Sequence, residues 1–224
     1  MKLLVADYDN TIELHYDFID NITTLNRNIR AINKFIKKNL VCIATGRHFE
    51  AIHKTLLTNN INFNYLCANN GAELYDSNYN LLYCMPIEKK DLEILIKFEK
   101  KIFFRNPFNS NLVTSANLYF DNLKEFEQSK KYLKNHLTKS SVEYKYPKIK
   151  IINKKCNKLY TIMILQAFIK IDSRKIYTIG DDVNDIKMIK YYKGYSLVTA
   201  KKKVKKYASK IYEELYQLIE EIDD

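Results

Sequence analysis

The sequence of 224 residues has little of what marks a secreted, membrane or thiolate-metal protein. Its four cysteines are far apart and form no CxxC pair, which predicts free thiols in a reducing compartment. No apolar run approaches the length that spans a bilayer, and no signal peptide is recognisable at the start. The four histidines lack metal-ligand spacing. We therefore expect a cytoplasmic protein with no membrane partner.

Glycine is also scarce, with four residues, while lysine, asparagine, isoleucine and tyrosine are abundant along the whole chain. The formal net charge of +11 is therefore interpreted as a general compositional bias. The densest lysine run, residues 201–206, carries Val204 at helical spacing, which predicts a solvated helix face. We expect no nucleic-acid partner, although a positive field would also attract an anionic small substrate.

The first dozen residues combine a buried strand with two acidic side chains. Residues 3–6 form a short apolar run, and Asp7 and Asp9 follow it. Such a run, bounded by turn residues, is typical of an interior strand of a parallel sheet. In open α/β sheets, ligands bind just outside the carboxyl ends of the strands. The two carboxylates are therefore predicted to lie where small-molecule chemistry is done.

Later strands end in a similar way. Apolar runs are followed by polar clusters at three places, namely 40–44 before Thr45-Gly46-Arg47, 63–68 before the turn Asn69-Asn70-Gly71, and 175–179 before Gly180-Asp181-Asp182-Val183-Asn184-Asp185. Residues 12–22 are interpreted as a loop. Helices are predicted over 23–38, with Thr23 or Thr24 as N-cap, and over 48–58, 158–169 and 185–191.

From Pro86 onwards the pattern changes. Helices over 88–100 and 122–136 are interspersed with strands over 102–105, 112–120, 142–146 and 148–152, which indicates a small α+β unit. The predicted fold class is α/β, with a Rossmann-like parallel sheet core and an inserted α+β domain. We assign residues 1–76 and 157–224 to the core and residues 77–156 to the insert.

If the core strands are parallel, the side chains of Asp7, Asp9, Thr45, Asp181 and Asp185 meet at one edge of the sheet. Several carboxylates repel one another unless a cation neutralises them. Oxygen ligands without histidine or cysteine favour Mg²⁺, which binds few carboxylates together with waters and substrate phosphate. A carboxylate can also act as a covalent nucleophile. The pattern therefore predicts phosphoryl transfer.

These motifs, taken in order, resemble the four motifs of the haloacid dehalogenase superfamily. The likeness is nearer to its Cof-type class IIB phosphatases, on the segments Ile43-Ala44-Thr45-Gly46-Arg47, Asn70-Gly71-Ala72 and Asn157-Lys158-Leu159. The resemblance implies that the inserted domain is a cap over the active site. It also implies a Mg²⁺-dependent phosphatase of small phosphorylated metabolites, either sugar phosphates or a phosphorylated cofactor.

The resemblance implies catalytic roles for four residues. Asp7 is the expected nucleophile and Asp9 the expected general acid and base. Thr45 and Lys158 are expected to contact the transferring phosphoryl group. Asparagine replaces the usual glycine of the family at Asn10, where we expect the turn to survive because asparagine tolerates left-handed backbone angles.

The resemblance also implies a metal site and a phosphate site. Mg²⁺ is expected to bind the Asp7 carboxylate, the Asp9 backbone carbonyl and Asp181, with Asp185 acting through water. Substrate or phosphate contacts are expected from Thr45, Gly46, Arg47, Asn70, Lys158 and Asn184.

Several alternatives remain open from the sequence. Arg47 is expected either to contact substrate or to form a salt bridge, and Asn70 either to form the turn or to border the site. Thr45 has a second interpretation as a helix N-cap, and Lys154 and Lys155 are close enough to compete with Lys158. For function, the alternatives are a phosphohexomutase of the same superfamily and a non-enzymatic basic binding module that retains the fold. The sequence leaves the physiological substrate and the oligomeric state open, with a monomer favoured.

Overall fold

The computed structural model describes residues 1–16, 20–99 and 101–223. Within them the strands are β1 (Leu3–Asp7), β2 (Leu40–Ala44), β3 (Tyr65–Ala68), β4 (Glu73–Asp76), β5 (Leu81–Cys84), β6 (Ile102–Arg105), β7 (Ser115–Tyr119), β8 (Ser140–Lys145), β9 (Lys148–Asn153), β10 (Ile176–Ile179), β11 (Ser196–Leu197) and β12 (Ile211–Tyr212). The helices are α1 (Asn21–Phe35), α2 (Phe49–Thr58), α3 (Lys89–Leu95), α4 (Leu123–His136), α5 (Lys158–Ile169), α6 (Ile186–Tyr191), α7 (Lys202–Lys205) and α8 (Leu215–Asp223).

A six-stranded sheet in the order β10-β1-β2-β3-β4-β5 forms the core. The first four of these strands are parallel, and β4 and β5 return antiparallel. Asp7 pairs in register with the last residue of β2, so the loops after β1 and β2 leave from the same edge. This arrangement confirms the predicted α/β class and the interior position of the strand that carries Asp7.

Helices cover both faces of this sheet. Leu4 and Ala6 of β1 pack with α1, α2 and α8 on one face, while Leu3 and Val5 pack with α5 and α6 on the other. Because successive side chains of a strand point to opposite faces, a strand buried on both sides needs a continuous apolar run. That requirement explains why β1 was recognisable from the sequence.

A second, antiparallel sheet in the order β6-β7-β9-β8 lies between β5 and α5 in the chain. Ile149 and Ile151 of β9 are buried in a separate core with residues of α3 and α4. Lys148 and Lys150 therefore lie on the opposite face of the sheet, where no helix of this unit covers them in the described chain.

The boundary predicted at residue 77 needs a correction at the β4–β5 hairpin. Leu81–Cys84 pairs with β4 and extends the six-stranded sheet, although the sequence placed it in the insert. The carboxylate of Asp76 accepts hydrogen bonds from the backbone N–H groups of Asn78 and Asn80, both at 2.9 Å, and these bonds close the hairpin. The α+β unit therefore begins after β5.

The first helix also differs from its prediction. It begins at Asn21, and its N-cap is Asp20, whose side chain accepts from the N–H of Thr23. The predicted caps, Thr23 and Thr24, lie inside the helix because Asp20 satisfies the free N–H groups one turn earlier. Residues 17–19 of the predicted loop over 12–22, and residue 100 at the end of the predicted helix over 88–100, lie outside the described part of the chain.

All four cysteines are free, as predicted, and Cys42 and Cys67 are buried. Val204 is buried while the lysines at 201–203 are exposed, which confirms the solvated lysine face. In the described ranges, none of the helices combines the length and apolar character that a bilayer crossing requires.

Candidate active site

Asp7 ends β1, and its carboxylate lines a cavity at the carboxyl edge of the sheet. Asp9 lies in the following loop, where Asn10 has a φ of 57° and donates its N–H to the carbonyl of Glu13 at 2.7 Å. The expectation that Asn10 preserves this turn is confirmed, because asparagine tolerates positive φ better than other residues with a side chain. The turn keeps Asp9 at the same edge as Asp7.

The acidic cluster after β10 is built around a buried carboxylate. Asp185 Oδ2 accepts hydrogen bonds from the N–H groups of Asp181 and Asp182, at 3.2 and 3.1 Å. A Cβ on Gly180 would lie 2.4 Å from the carboxyl carbon of Asp185. The glycine of this motif is therefore a packing requirement, because any side chain there would displace Asp185.

Lys158 is the first residue of α5 and is fully buried. Asn157 caps the helix by accepting a backbone N–H at 3.0 Å. The start of the helix packs against the turn after β3, where Gly71 has a φ of 88° and a Cβ would lie 2.5 Å from the Asn157 carbonyl oxygen. Lys154 and Lys155 are exposed, whereas Lys158 is buried beside Asp7.

Lys158 bridges two buried carboxylates, with its Nζ 2.5 Å from Asp7 Oδ1 and 2.6 Å from Asp185 Oδ1. Burial lowers the pKa of Lys158, but the charges of Asp185 and Asp7 outweigh it and raise the pKa, so the ammonium stays protonated. Burial raises the pKa of Asp7 well above its usual range in spite of Lys158. Burial, with the nearby charge of Asp185, raises the pKa of Asp181 to about 6.

This group of side chains has a composition that suits a divalent cation. Carboxylate oxygens of Asp7, Asp181 and Asp185 lie within 4.8 Å of one another. Three carboxylates and one ammonium leave an excess of negative charge in a buried place, and the donors are all oxygens, which hard divalent cations prefer. Both oxygens of Asp185 already accept from Lys158 or from the backbone. The residues therefore fit a cation held by Asp7 and Asp181, with Asp185 behind them.

The Asp9 carboxylate lies outside this buried group and faces Arg47. The Arg47 Nε donates to both Asp9 oxygens at 3.1 Å, and a terminal guanidinium nitrogen forms a closer ion pair. Arg47 also contacts the Glu13 carboxylate and donates to Thr55 Oγ1 at 3.0 Å. Arg47 thus forms the salt bridge that is one of its two predicted roles. Asp9, Glu13 and His15 are close together, and Arg47 contacts both carboxylates of this cluster.

Thr45 lies directly after β2 and is fully buried. Its Oγ1 accepts the N–H of Arg47 at 3.1 Å, and its carbonyl accepts the N–H of Asn70 at 2.9 Å. The N-cap of α2 is His48, so the interpretation of Thr45 as a helix N-cap is wrong. Thr45 instead ties the loop after β2 to the turn after β3.

Gly46, Asn70 and Asn184 meet at the rim of the cavity. Asn184 Nδ2 donates to Asn70 Oδ1 at 2.9 Å. A Cβ on Gly46 would lie 3.1 Å from that same oxygen, so the glycine lets the two loops approach. Asn70 has a φ of 57° and also lines the cavity. The two predicted roles of Asn70 are therefore compatible, since it forms the turn and borders the site.

The cavity measures about 320 Å³, and its far wall comes from the second sheet. Lys148 and Lys150 of β9 and Glu143 of β8 line it, and Lys150 Nζ donates to the Gly46 carbonyl at 2.7 Å. The sequence analysis did not single out these residues. The alternation of lysine and isoleucine over 148–151 could have placed both lysines on one face. Only the tertiary structure shows that this face lies opposite Asp7.

The sequence of this chain matches the family described as haloacid dehalogenase-like hydrolase over residues 4–123 and 102–216. An uncharacterized protein from Mycoplasma capricolum subsp. capricolum is 22% identical over 85% of this chain and 88% of its own length. These matches span most of the chain, including both the core sheet and the α+β unit.

Solved structures share the fold at low sequence identity. A haloacid dehalogenase-like hydrolase from Bacteroides thetaiotaomicron has a TM-score of 0.82 at 19% identity, with 99% of each chain covered. A phosphatase of the superfamily from the same organism has a TM-score of 0.77 at 17% identity, over 99% of this chain and 95% of its own. A subclass IIB sugar phosphatase has a TM-score of 0.73 at 18% identity, over 99% and 98%. Together with the family match, the shared fold shows that this chain belongs to the haloacid dehalogenase-like hydrolases.

Proposed function

We propose that the chain is a magnesium-dependent phosphatase that hydrolyses small phosphorylated metabolites, such as a sugar phosphate or a phosphorylated cofactor, through an aspartyl-phosphate intermediate. The observation that carries this proposal is the buried group of Asp7, Lys158, Asp181 and Asp185. It combines a carboxylate that lines the cavity, a fixed ammonium and an excess of negative charge for a divalent cation. Membership of a hydrolase family supports the same reading.

Asp7 and Asp9 carry the two half-reactions. In the first, an Asp7 oxygen attacks phosphorus, the bond from phosphorus to the ester oxygen breaks, and Asp9 gives its proton to that oxygen. In the second, Asp9 takes a proton from water, the water oxygen attacks phosphorus, and the acyl-phosphate bond breaks to release phosphate. The Asp9 side chain is 40% exposed, so water and the leaving oxygen have access to it, and Arg47 fixes its direction.

The remaining residues bind and neutralise the phosphoryl group. Lys158 offsets the charge on Asp7 and on the transferring oxygens, and the Thr45 hydroxyl donates to one of them. The amides of Asn70 and Asn184 contact the phosphate at the rim. Asp7, Asp181 and the Asp9 backbone carbonyl would hold magnesium, which would supply Lewis-acid neutralisation of the developing charge.

In this proposal the residues from 86 to 156 act as a cap. Lys150 reaches the Gly46 carbonyl at 2.7 Å, Arg105 Nη1 lies 3.1 Å from Glu50 Oε2, and the N–H of Phe108 donates to the Tyr75 hydroxyl at 3.1 Å, so these contacts help to hold the cap against the core. The cap thereby excludes bulk water from the cavity during the reaction.

The test is phosphate release from p-nitrophenyl phosphate with Mg²⁺ and with EDTA. Turnover is expected to need Mg²⁺ and to vanish in Asp7→Asn, because an amide cannot form the acyl phosphate. Asp121→Asn, an exposed aspartate of the cap, is the matched control and is expected to behave as wild type. Turnover that persists in Asp7→Asn would rule out the aspartyl-phosphate mechanism.

Two further measurements separate the alternatives. A phosphohexomutase would interconvert glucose 1-phosphate and glucose 6-phosphate without net release of phosphate. A basic binding module would show no Mg²⁺-dependent turnover and a steeply salt-dependent affinity for nucleic acid.

A further inference from the structure

A second cavity, of about 290 Å³, adjoins the one that contains Asp7. Asp9, Gly46, Lys148 and Lys150 line both cavities, so the two are continuous. The other walls of the second cavity come from the loop after β2, the turn after β3 and strand β7. We call this second cavity the side recess.

Three residues that line the side recess each have a buried polar atom without a hydrogen-bond partner among the described residues, namely Asn69 Oδ1, Ser115 Oγ and Asn117 Oδ1. These residues are 0%, 1% and 4% exposed. Buried polar groups in folded proteins almost always have partners, so three such atoms around one recess indicate groups that a ligand completes. Amide oxygens accept from hydroxyl groups, and a serine hydroxyl can donate or accept. Of the three, the Ser115 and Asn117 oxygens belong to residues with a small exposed fraction, so a ligand hydroxyl that displaces little of the recess wall would complete them.

Two lysines bring positive charge to the same recess. Lys148 and Lys150 lie on one face of β9, because Ile149 between them is buried on the other face. Among the ion pairs of the described residues, neither lysine lies within 4.0 Å of a carboxylate. Burial, with the charge of Lys148, lowers the pKa of Lys150 to about 8. An anionic group placed between the two ammonium groups would offset their repulsion and the cost of burying the charge of Lys150.

The position of Asp9 indicates which part of the substrate enters the recess. This step rests on the proposed function, in which Asp9 protonates the leaving oxygen. Because Asp9 borders both cavities, a phosphoryl group at Asp7 places the leaving oxygen at their junction, and the leaving group then extends into the side recess.

We propose that the side recess binds the leaving group of the substrate, and that the substrate is a hydroxyl-bearing phosphate monoester with a second anionic group. Lys148 and Lys150 bind that second group, while Ser115 and Asn117 bind the hydroxyls of the leaving group. The second group is a carboxylate or a further phosphate, since the two lysines recognise anionic oxygens in either.

The experiment compares pairs of substrates that differ in the second anionic group. Glycerol 3-phosphate is paired with 3-phosphoglycerate, and fructose 6-phosphate with fructose 1,6-bisphosphate. The measured quantity is the ratio of kcat/KM for the more charged member to that for the less charged member. In wild type we expect a ratio of about 10 or more in at least one pair, the size of one charge-assisted contact. The pair that gives the larger ratio identifies the second group as carboxylate or phosphate.

The variant Lys148→Gln/Lys150→Gln is expected to bring this ratio close to 1. The ratio is used because a general loss of activity affects both members of a pair and cancels. Lys131→Gln, an exposed lysine on α4 at the other face of the cap sheet, is the control for charge and is expected to keep the wild-type ratio.

Calorimetric binding of the same compounds, in the presence of Mg²⁺ and with Asp7→Asn to prevent turnover, separates this inference from the proposed function. A binding preference for the charged members that disappears on changing the two lysines supports the side recess, even where wild type hydrolyses nothing. Turnover of p-nitrophenyl phosphate without any such preference, in either assay, overturns the inference and leaves the phosphatase proposal standing. The absence of both turnover and preference overturns both.

Discussion

The core side and the cap side of the two joined cavities differ in how far the protein satisfies its own polar groups. The core wall is here Asp7 and Asp181 with Lys158 and Asp185 buried behind them, and these groups are tied to one another and to the backbone by short contacts. The cap wall is Lys148 and Lys150 with Ser115 and Asn117 of the side recess, and it has two unpartnered buried oxygens and two lysines without a carboxylate partner in the described chain.

In the proposed function, this contrast corresponds to a division of roles between catalysis by the core wall and substrate recognition by the cap wall. Groups that stabilise a transition state are most effective when they are held in place before substrate arrives, which requires the core wall to be fixed. Groups that select a substrate gain from being unsatisfied without it, because a correct ligand supplies the missing hydrogen bonds and an incorrect one does not. We expect substitutions in the two walls to differ in the size and even in the sign of their effects.

The largest effect is expected for Lys158→Met, which leaves the Asp7 and Asp185 carboxylates buried without their cation. Turnover should fall by about 10³–10⁵-fold, the range a cation supplies in phosphoryl transfer. The free energy of unfolding should fall by about 3–5 kcal/mol, as when one partner of a buried ion pair is removed. Phosphate release and urea unfolding in EDTA measure the two. Lys155→Met, an exposed neighbour, should change neither, and wild-type turnover in Lys158→Met would refute its role.

A loss that depends on the leaving group is expected for Asp9→Asn. With an alkyl phosphate such as glycerol 3-phosphate, kcat/KM should fall by about 10²–10⁴-fold, because the leaving alkoxide needs a proton. The fall with p-nitrophenyl phosphate should be smaller, since nitrophenolate leaves without one. Glu13→Gln removes another carboxylate near Arg47 and should not produce this difference. Equal losses with both substrates would contradict the role of Asp9 as acid.

The third effect concerns the metal and pH. Because the pKa of Asp181 is raised from 3.8 to about 6, the folded protein retains a proton in that window that the unfolded chain has lost. Without metal, the free energy of unfolding should therefore fall as pH rises through the window. Mg²⁺ at one hundred times its Kd should add about 2.7 kcal/mol at pH 7 and less at pH 5, where Asp181 is protonated.

Thermal unfolding at both pH values, with Mg²⁺ or EDTA, measures this linkage. Asp181→Asn should lose most of the stabilisation by Mg²⁺ and, in EDTA at pH 7, be more stable than wild type. Asp121→Asn should retain the wild-type response to Mg²⁺. A full Mg²⁺ response in Asp181→Asn would exclude Asp181 as a ligand.

The smallest effect, and one of opposite sign, is expected for Asn117→Leu in the cap wall. Removing an amide whose buried oxygen has no partner among the described residues should raise the free energy of unfolding by about 1 kcal/mol. It should also lower kcat/KM for hydroxyl-bearing substrates, because their partner is lost. Asn135→Leu on the exposed side of α4 should leave both quantities unchanged. A destabilised Asn117→Leu would mean that the amide has a structural partner and is not reserved for a ligand.

The two walls also differ in how well the sequence predicted them. The core wall was predictable because each of its residues directly follows, or begins, an element with a strong local pattern. Asp7 ends an apolar run, and Lys158 begins an apolar helix behind an N-capping asparagine. No local sequence pattern identifies Lys150 as a site residue, since a lysine that alternates with isoleucine is ordinary in a half-buried strand.

The sequence by itself determined the order of strands and helices, the parallel core and the convergence of Asp7, Thr45 and Asp181 at one edge. It could do so because alternation, apolar runs and capping residues act over a few neighbours along the chain. The tertiary structure alone decided that β5 belongs to the core sheet, that Arg47 pairs with Asp9, and that Lys148 and Lys150 face Asp7. The first two outcomes depend on contacts within the core, between β4 and β5 and between the loops after β1 and β2. The third depends on how the second sheet packs against the first, and no local pattern encodes that contact between distant residues.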